Sequence, residues 1–199
     1  MVIGVLALQG DFEAHGRVLR ELGADVRAVR TPQDLDGIDG LIIPGGESTT
    51  MTLGVAREGL AVPLRALARR GTPVLGTCAG LIMLDRDHLD VLDITSRRNA
   101  FGRQLQSFEA ELSPGAGLGD EPLRAVFIRA PWVEEHGAEV EVLAEVDGRP
   151  VAVRQGNVLA IAFHPELTDD RRFHRWLLER AAGGAEPTPA APTANQGDP

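Results

Sequence analysis

Residues 2–8 form a nearly unbroken apolar run, and Gln9-Gly10 ends it. A strand with no polar face is expected to be buried on both sides. Residues 12–22 then read as a helix, closed by Gly23 at a position suited to a left-handed backbone. The alternation continues. Strands are expected at 25–29, 41–43 and 73–75, with helices at 48–57 and 64–70. Strands and helices in this order predict an α/β fold with a mostly parallel central sheet and helices on both faces.

The second half changes character. Residues 104–112 and 123–129 read as strands. Residues 140–146 and 151–153 are joined by Asp147-Gly148, a strong hairpin signal. Gln155-Gly156-Asn157 turns the chain again into an apolar strand at 158–163. An antiparallel hairpin extension, returning to the main sheet, is therefore expected. Residues 169–182 close the domain as a helix with Phe173, Trp176 and Leu177 on one side. From 183 to 199 the composition shifts to Ala, Pro, Thr and Gly, so one domain at 1–182 and a disordered tail are predicted.

At 199 residues the chain suffices for one substantial core. A net charge of -9 argues against nucleic-acid or anionic-membrane surfaces, which need clustered cations. The sequence has no lysine, which excludes a Walker A loop and a lysine Schiff base. No run approaches the roughly 20 apolar residues of a membrane span. A single cysteine forms no internal disulfide, and a free thiol suits a reducing compartment. The N-terminus runs straight into a strand, so a cytoplasmic location is expected.

That cysteine stands in Gly76-Thr77-Cys78-Ala79-Gly80, directly after the strand at 73–75. The pattern is that of a nucleophile elbow, a sharp strand-to-helix turn that presents one side chain above the sheet. A helix starting at Ala79 would favour the thiolate. Far downstream is His164-Pro165-Glu166. If Pro165 holds this segment extended, residues two apart face the same way, and Glu166 can orient His164 toward the thiol. Thiol, imidazole and carboxylate are the parts of acyl transfer through a thioester. Pro44-Gly45-Gly46-Glu47-Ser48 follows a buried strand and precedes a helix. It reads as a tight turn with an N-cap, and its glycine amides at Gly45 and Gly46 are candidates for an oxyanion hole. The backbone N–H of Ala79 is the natural second donor. His15, His88, His136 and His174 lack metal-like spacing and are assigned structural or surface roles; no metal or cofactor is expected.

Gln9-Gly10, the 44–48 loop, the elbow, Arg98-Asn99-Ala100-Phe101-Gly102-Arg103-Gln104, Phe127-Ile128-Arg129-Ala130-Pro131 and His164-Pro165-Glu166-Leu167 occur in order. Together they resemble the glutaminase subunits of pyridoxal 5′-phosphate synthase, within the class I (triad-type) glutamine amidotransferases. The resemblance runs from Val2 to about Arg180. It implies a flavodoxin-like sheet of the class I glutamine amidotransferase kind. It also implies that Cys78 is the nucleophile, His164 the general base and acid, and Glu166 the orienter. Gly46, Glu47 and Ser48 correspond to the family's glutamine-contacting loop, Arg98 to a glutamine-contacting arginine, and Ile128 and Arg129 to a further contact pair. An arginine fork suits the α-carboxylate of free glutamine, and Arg97 competes with Arg98 for that role. The connection at 84–98 is shorter than the family's usual one, with Asp85-Arg86-Asp87-His88 in place of a longer glycine-containing loop.

The resemblance implies hydrolysis of L-glutamine to L-glutamate and ammonia. The ammonia would pass to a (β/α)₈ barrel synthase subunit, in a large hetero-oligomer with a dodecameric synthase core. Three other readings compete. One is a glutaminase serving another pathway, disfavoured because Gly80-Leu81-Ile82 lacks the Gly-Gln pair common in those relatives. Another is a DJ-1-like redox thiol protein, disfavoured by the downstream His-x-Glu. The last is a structural synthase partner whose triad no longer turns over.

Overall fold

A computed structural model of the chain describes residues 1–98, 107–113, 118–119 and 121–183. The expected tail, the expected start of a strand at 104 and the motif residues Asn99 to Gln104 lie outside these. The first half lays down β1 (Val2–Leu6), α1 (Phe12–Glu21), β2 (Asp25–Val29), β3 (Gly40–Ile43), α2 (Ser48–Arg57), α3 (Ala61–Arg69), β4 (Val74–Thr77) and α4 (Ala79–Leu84). The second half adds β5 (Ile94–Arg97), β6 (Ser107–Leu112), β7 (Leu123–Ile128), β8 (Trp132–His136), β9 (Glu141–Val146), β10 (Arg149–Gln155), β11 (Val158–Ile161) and α5 (Arg172–Ala181).

Seven strands form the main sheet in the order β2-β1-β3-β4-β11-β10-β9. Neighbours from β2 through β11 pair in parallel, while β10 pairs antiparallel with both β11 and β9. Every residue of β3, β4 and β11 is buried, as continuous apolar runs at the centre of such a sheet require. The chain moves outward from β1 to β2, then in the other direction from β3 to β4. Right-handed crossovers place the helices of these two arms on opposite faces. The reversal between β1 and β3 is a topological switch point, and crevices beyond the strand ends at such points bind ligands in open α/β sheets.

The β9–β10 hairpin extends the main sheet at its edge. Asp147 and Gly148 have φ of 51° and 70°, the doubly left-handed turn that the Asp-Gly pair anticipates. Two pairings have no local sequence signal: β5 with β8, and β6 with β7, each an antiparallel ribbon apart from the main sheet. The 84–98 connection winds around Asp85, which is almost wholly buried and accepts hydrogen bonds from Asp87 N (3.0 Å) and Ser96 Oγ (2.5 Å). Among the described residues, no helix is long and apolar enough to cross a membrane.

Phe163 links the core to the end of β11. Its ring meets Phe127 edge-on at 5.5 Å between centroids and Phe173 at 5.3 Å. Phe163→Ala is expected to destabilise the fold by about 3–5 kcal/mol, read from the denaturant midpoint, because three interlocked rings leave a cavity that cannot easily collapse.

Candidate active site

Three adjacent strands, β3, β4 and β11, deliver the chemistry to one edge. β3 runs into the Pro44-Gly45-Gly46 loop, β4 into Cys78, and β11 through Ala162-Phe163 into His164. Their parallel registers align these ends.

Cys78 sits between β4 and α4 with φ 49° and ψ −106°, a conformation L-residues rarely adopt. Such strain concentrates where the surrounding structure fixes a reactive group. The elbow is held by Cys78 N–H donating to the Ile161 carbonyl at 2.8 Å. A side chain at Gly80 would collide with the Ile43 carbonyl, so the helix after the nucleophile seats against β3 only with glycine there. Gly45 is equally constrained. A Cβ at that position would lie 2.6 Å from Cε1 of His164 and 3.2 Å from Cβ of Cys78. The loop therefore passes directly over the nucleophile and the imidazole. Ala79 opens α4, and the first N–H groups of a helix have no intrahelical acceptor.

His164 Nδ1 is 2.7 Å from Glu166 Oε1, and both side chains are nearly inaccessible to solvent. The contact arises differently from the sequence expectation. Residues Pro165–Leu167 form a 3-10 turn rather than an extended segment. Proline fits the first position of that turn, and the turn curls Glu166 back beneath the ring. Burial opposes a charged imidazole at His164. Hydrogen bonds from the ring to Cys78 and Glu166, with their negative charges, outweigh it and raise the pKa to about 10. Burial likewise opposes ionisation of Glu166, yet His15 and His164 hold its pKa below the usual value.

A cavity of about 440 Å³ opens above this group. Cys78, Ala79 and His164 line it together with Gly46, Glu47, Ser48, Arg98, Ile128 and Arg129. Cys78 Sγ lies 3.9 Å from the Ile128 carbonyl, and Arg129 is a second non-glycine residue at positive φ, 45°. Glu47 lines the cavity while its carboxylate caps α2, accepting from Thr49 N (2.9 Å), Thr50 N (2.7 Å) and Thr50 Oγ1 (2.7 Å). The Thr50 hydroxyl, then the two backbone donors, hold its pKa at about 2. The two candidate arginines part company. Arg98 faces the cavity, 3.1 Å from Thr49 Oγ1, whereas Arg97 pairs with Glu134 at 3.2 Å and lies over the Trp132 ring.

Two residues placed in structural roles from the sequence prove to adjoin the site. His15 of α1 reaches Glu166, and His174 of α5 reaches His15. A signal existed for the first. Helical spacing sets His15 in the buried stripe of α1 with Ala14, Val18 and Leu19, where a polar side chain needs a partner.

Residues 5–182 match the SNO glutamine amidotransferase family. The chain is 55% identical over 188 residues to the pyridoxal 5′-phosphate synthase subunit PdxT of Roseiflexus sp. (strain RS-1), covering 89% of this chain and 99% of that one. It is 54% identical over 197 residues to the protein of the same name from Acidothermus cellulolyticus, covering 92% and 95%. A crystal structure of a glutamine amidotransferase superposes with a TM-score of 0.85 at 46% identity, covering 92% of this chain and 100% of that one. The Thermotoga maritima PurLQS structure, at 19% identity and a TM-score of 0.72, shares the fold.

Proposed function

The chain belongs to the SNO glutamine amidotransferase family, and on that premise we propose that it is a glutaminase that supplies ammonia to a pyridoxal 5′-phosphate synthase subunit. One observation carries the assignment of roles. The nucleophile elbow, the His164–Glu166 pair and the glycine loop converge on one cavity that Arg98 also lines.

In this reading the glutamine side chain enters above Cys78, with its α-carboxylate toward Arg98. The thiolate of Cys78 attacks the amide carbon. Backbone N–H groups of the 45–46 loop and of Ala79 receive the oxyanion. His164, cationic in the resting ion pair, gives its proton to the departing nitrogen, which leaves as ammonia. Water then attacks the glutamyl thioester with His164 as base, releasing glutamate and restoring the thiolate. Glu166 keeps the imidazole oriented through both steps. No organic cofactor enters these steps.

The synthase partner is taken to be a (β/α)₈ barrel assembled as a dodecameric core, with the 45–46 loop arranged for catalysis only on docking. That gating would prevent idle hydrolysis. Glutamate release from L-glutamine, measured with and without the synthase subunit and with Cys78→Ala as control, tests the whole proposal. Strong stimulation by the partner, absent in the variant, is expected. High turnover without the partner would remove the gating, and no turnover in either condition would remove the glutaminase reading. The same assay separates the arginines. Arg98→Ala is expected to raise KM about tenfold or more, as loss of a charge-assisted pair to a carboxylate implies, while Arg97→Ala leaves it nearly unchanged.

A further inference from the structure

A buried polar cluster lies directly behind the His164–Glu166 pair. Only Oε1 of that carboxylate contacts His164. Oε2 lies 3.3 Å from Nε2 of His15 and is buried without a hydrogen-bond partner among the described residues. The same His15 nitrogen is 3.1 Å from Oγ1 of Thr77, the residue before the nucleophile. Its Nδ1 is 2.9 Å from Nε2 of His174. His15, Thr77 and His174 have no exposed surface. Four separate elements (α1, the end of β4, the 3-10 turn and α5) thus meet at one buried polar cluster.

The ring protons follow from electrostatics. Burial holds both histidines below their ordinary pKa, His174 at about 3, so each ring is neutral and carries one proton. With its proton on Nε2, His15 gives that N–H to Thr77 Oγ1 and turns its positive edge toward the free oxygen of Glu166 at 3.3 Å, and it accepts at Nδ1 from His174 Nε2–H. The opposite tautomer would aim a lone pair at a carboxylate. The first arrangement leaves His174 Nδ1 as a bare ring nitrogen, and that atom is buried without a partner. An orphaned acceptor is tolerated better than an orphaned N–H. The titratable and charged groups facing His15 are Glu166, His164, Asp11 and His174, and Arg171 faces His174.

We propose that His15 is a positioning residue for the glutaminase reaction: anchored on Thr77 and His174, it backs the free oxygen of Glu166 and so steadies the carboxylate that orients His164, while His174 fixes the tautomer of His15. The inference rests on the glutaminase reading above. A purely space-filling pair would be better served by apolar side chains, since two buried imidazoles carry a desolvation cost without one. In metal sites, loss of the outer partners that orient a liganding histidine costs about tenfold to a hundredfold, and His15 stands in the same relation to the His164–Glu166 pair.

The test compares the unaltered chain with His15→Leu and His15→Gln, each with the synthase subunit. Glutamate release is resolved into kcat and KM across acid and neutral pH. Alkylation of Cys78 by iodoacetamide is followed against pH on the chain alone, without synthase or glutamine; it reports a single site, since the chain has one cysteine. His15→Leu is expected to lower kcat about tenfold or more with KM nearly unchanged. Without His15 behind it, Glu166 protonates more readily, so the acid limb of both profiles should move to higher pH. His15→Gln, whose amide N–H can face Glu166, should recover most of both effects. Unchanged kcat and profile in His15→Leu would overturn the inference. So would equal losses in both variants with an unaltered alkylation profile. If His15→Leu fails to fold, His174→Leu should show a smaller change of the same sign, and a wild-type profile there would overturn it instead. Absence of glutamate release from the unaltered chain would count against the glutaminase reading alone, leaving the alkylation profiles to decide this one.

Discussion

Cys78→Ala is expected to reduce glutamate release to background, a loss of about 10⁴-fold or more, with the fold intact. Every step of the proposed reaction passes through the sulfur, so no neighbouring group can substitute. His164 can activate water, but water has neither the position of the thiolate nor its place in the elbow. The fold should survive because the change is small and local. Alanine fits a side-chain space already bounded by the 45–46 loop and His164, and the strained backbone is unaltered. Thermal unfolding within a few degrees of the unaltered chain, together with lost turnover, is the result to look for. Cys78→Ser should be nearly as inactive, since a hydroxyl does not form the stable ion pair with His164 that a thiolate does. Retention of more than about one per cent of turnover by Cys78→Ala would remove the thioester route.

Much of this site is legible in the sequence because its parts are local. The elbow is five consecutive residues after a strand, and its glycines are required by approaches to Ile43 and Leu84 that any sharp strand-to-helix turn creates. The hairpin at Asp147-Gly148 is legible for the same reason. The parallel sheet is legible from the repeated order of apolar runs and helices. What escapes is what depends on distant partners. β5 pairs with β8 across 34 intervening residues, and neither strand alternates cleanly enough to declare itself. The choice between Arg97 and Arg98 turns on which side chain faces Trp132 and Glu134, a partner strand that the local sequence does not specify. His-Pro-Glu announced the right contact through the wrong backbone. Proline suits both an extended segment and the first position of a turn, and the burial of Glu166 under His164 favours the turn. The pairing of His15 with His174 joins residues 159 positions apart, with no periodicity to connect them.

Glu166→Gln is expected to lower kcat about 10³-fold and to narrow the pH range of the enzyme. The sign follows from the two displaced groups. Glu166 has a lowered folded pKa, so its contribution is present above the ordinary carboxylate range and is lost as pH falls through the folded value. His164 has a raised folded pKa of about 10, so its contribution is complete below the ordinary imidazole value and is lost as pH rises through about 10. Between these limits His164 and Glu166 keep their opposite charges, and kcat should be nearly flat through neutral pH. The glutamine variant removes one of the two negative neighbours that outweigh the burial of His164. Its alkaline limb should therefore fall from about 10 toward the ordinary imidazole value of about 6.5. The amide also presents either an oxygen or an NH₂ group to Nδ1, and the second selects the wrong tautomer of His164. The measurement is the pH profile of kcat and of iodoacetamide reaction for both chains. A variant that keeps its alkaline limb near 10 would mean that the thiolate alone holds the proton on His164, and that Glu166 serves the architecture of the 3-10 turn rather than the charge balance of the site.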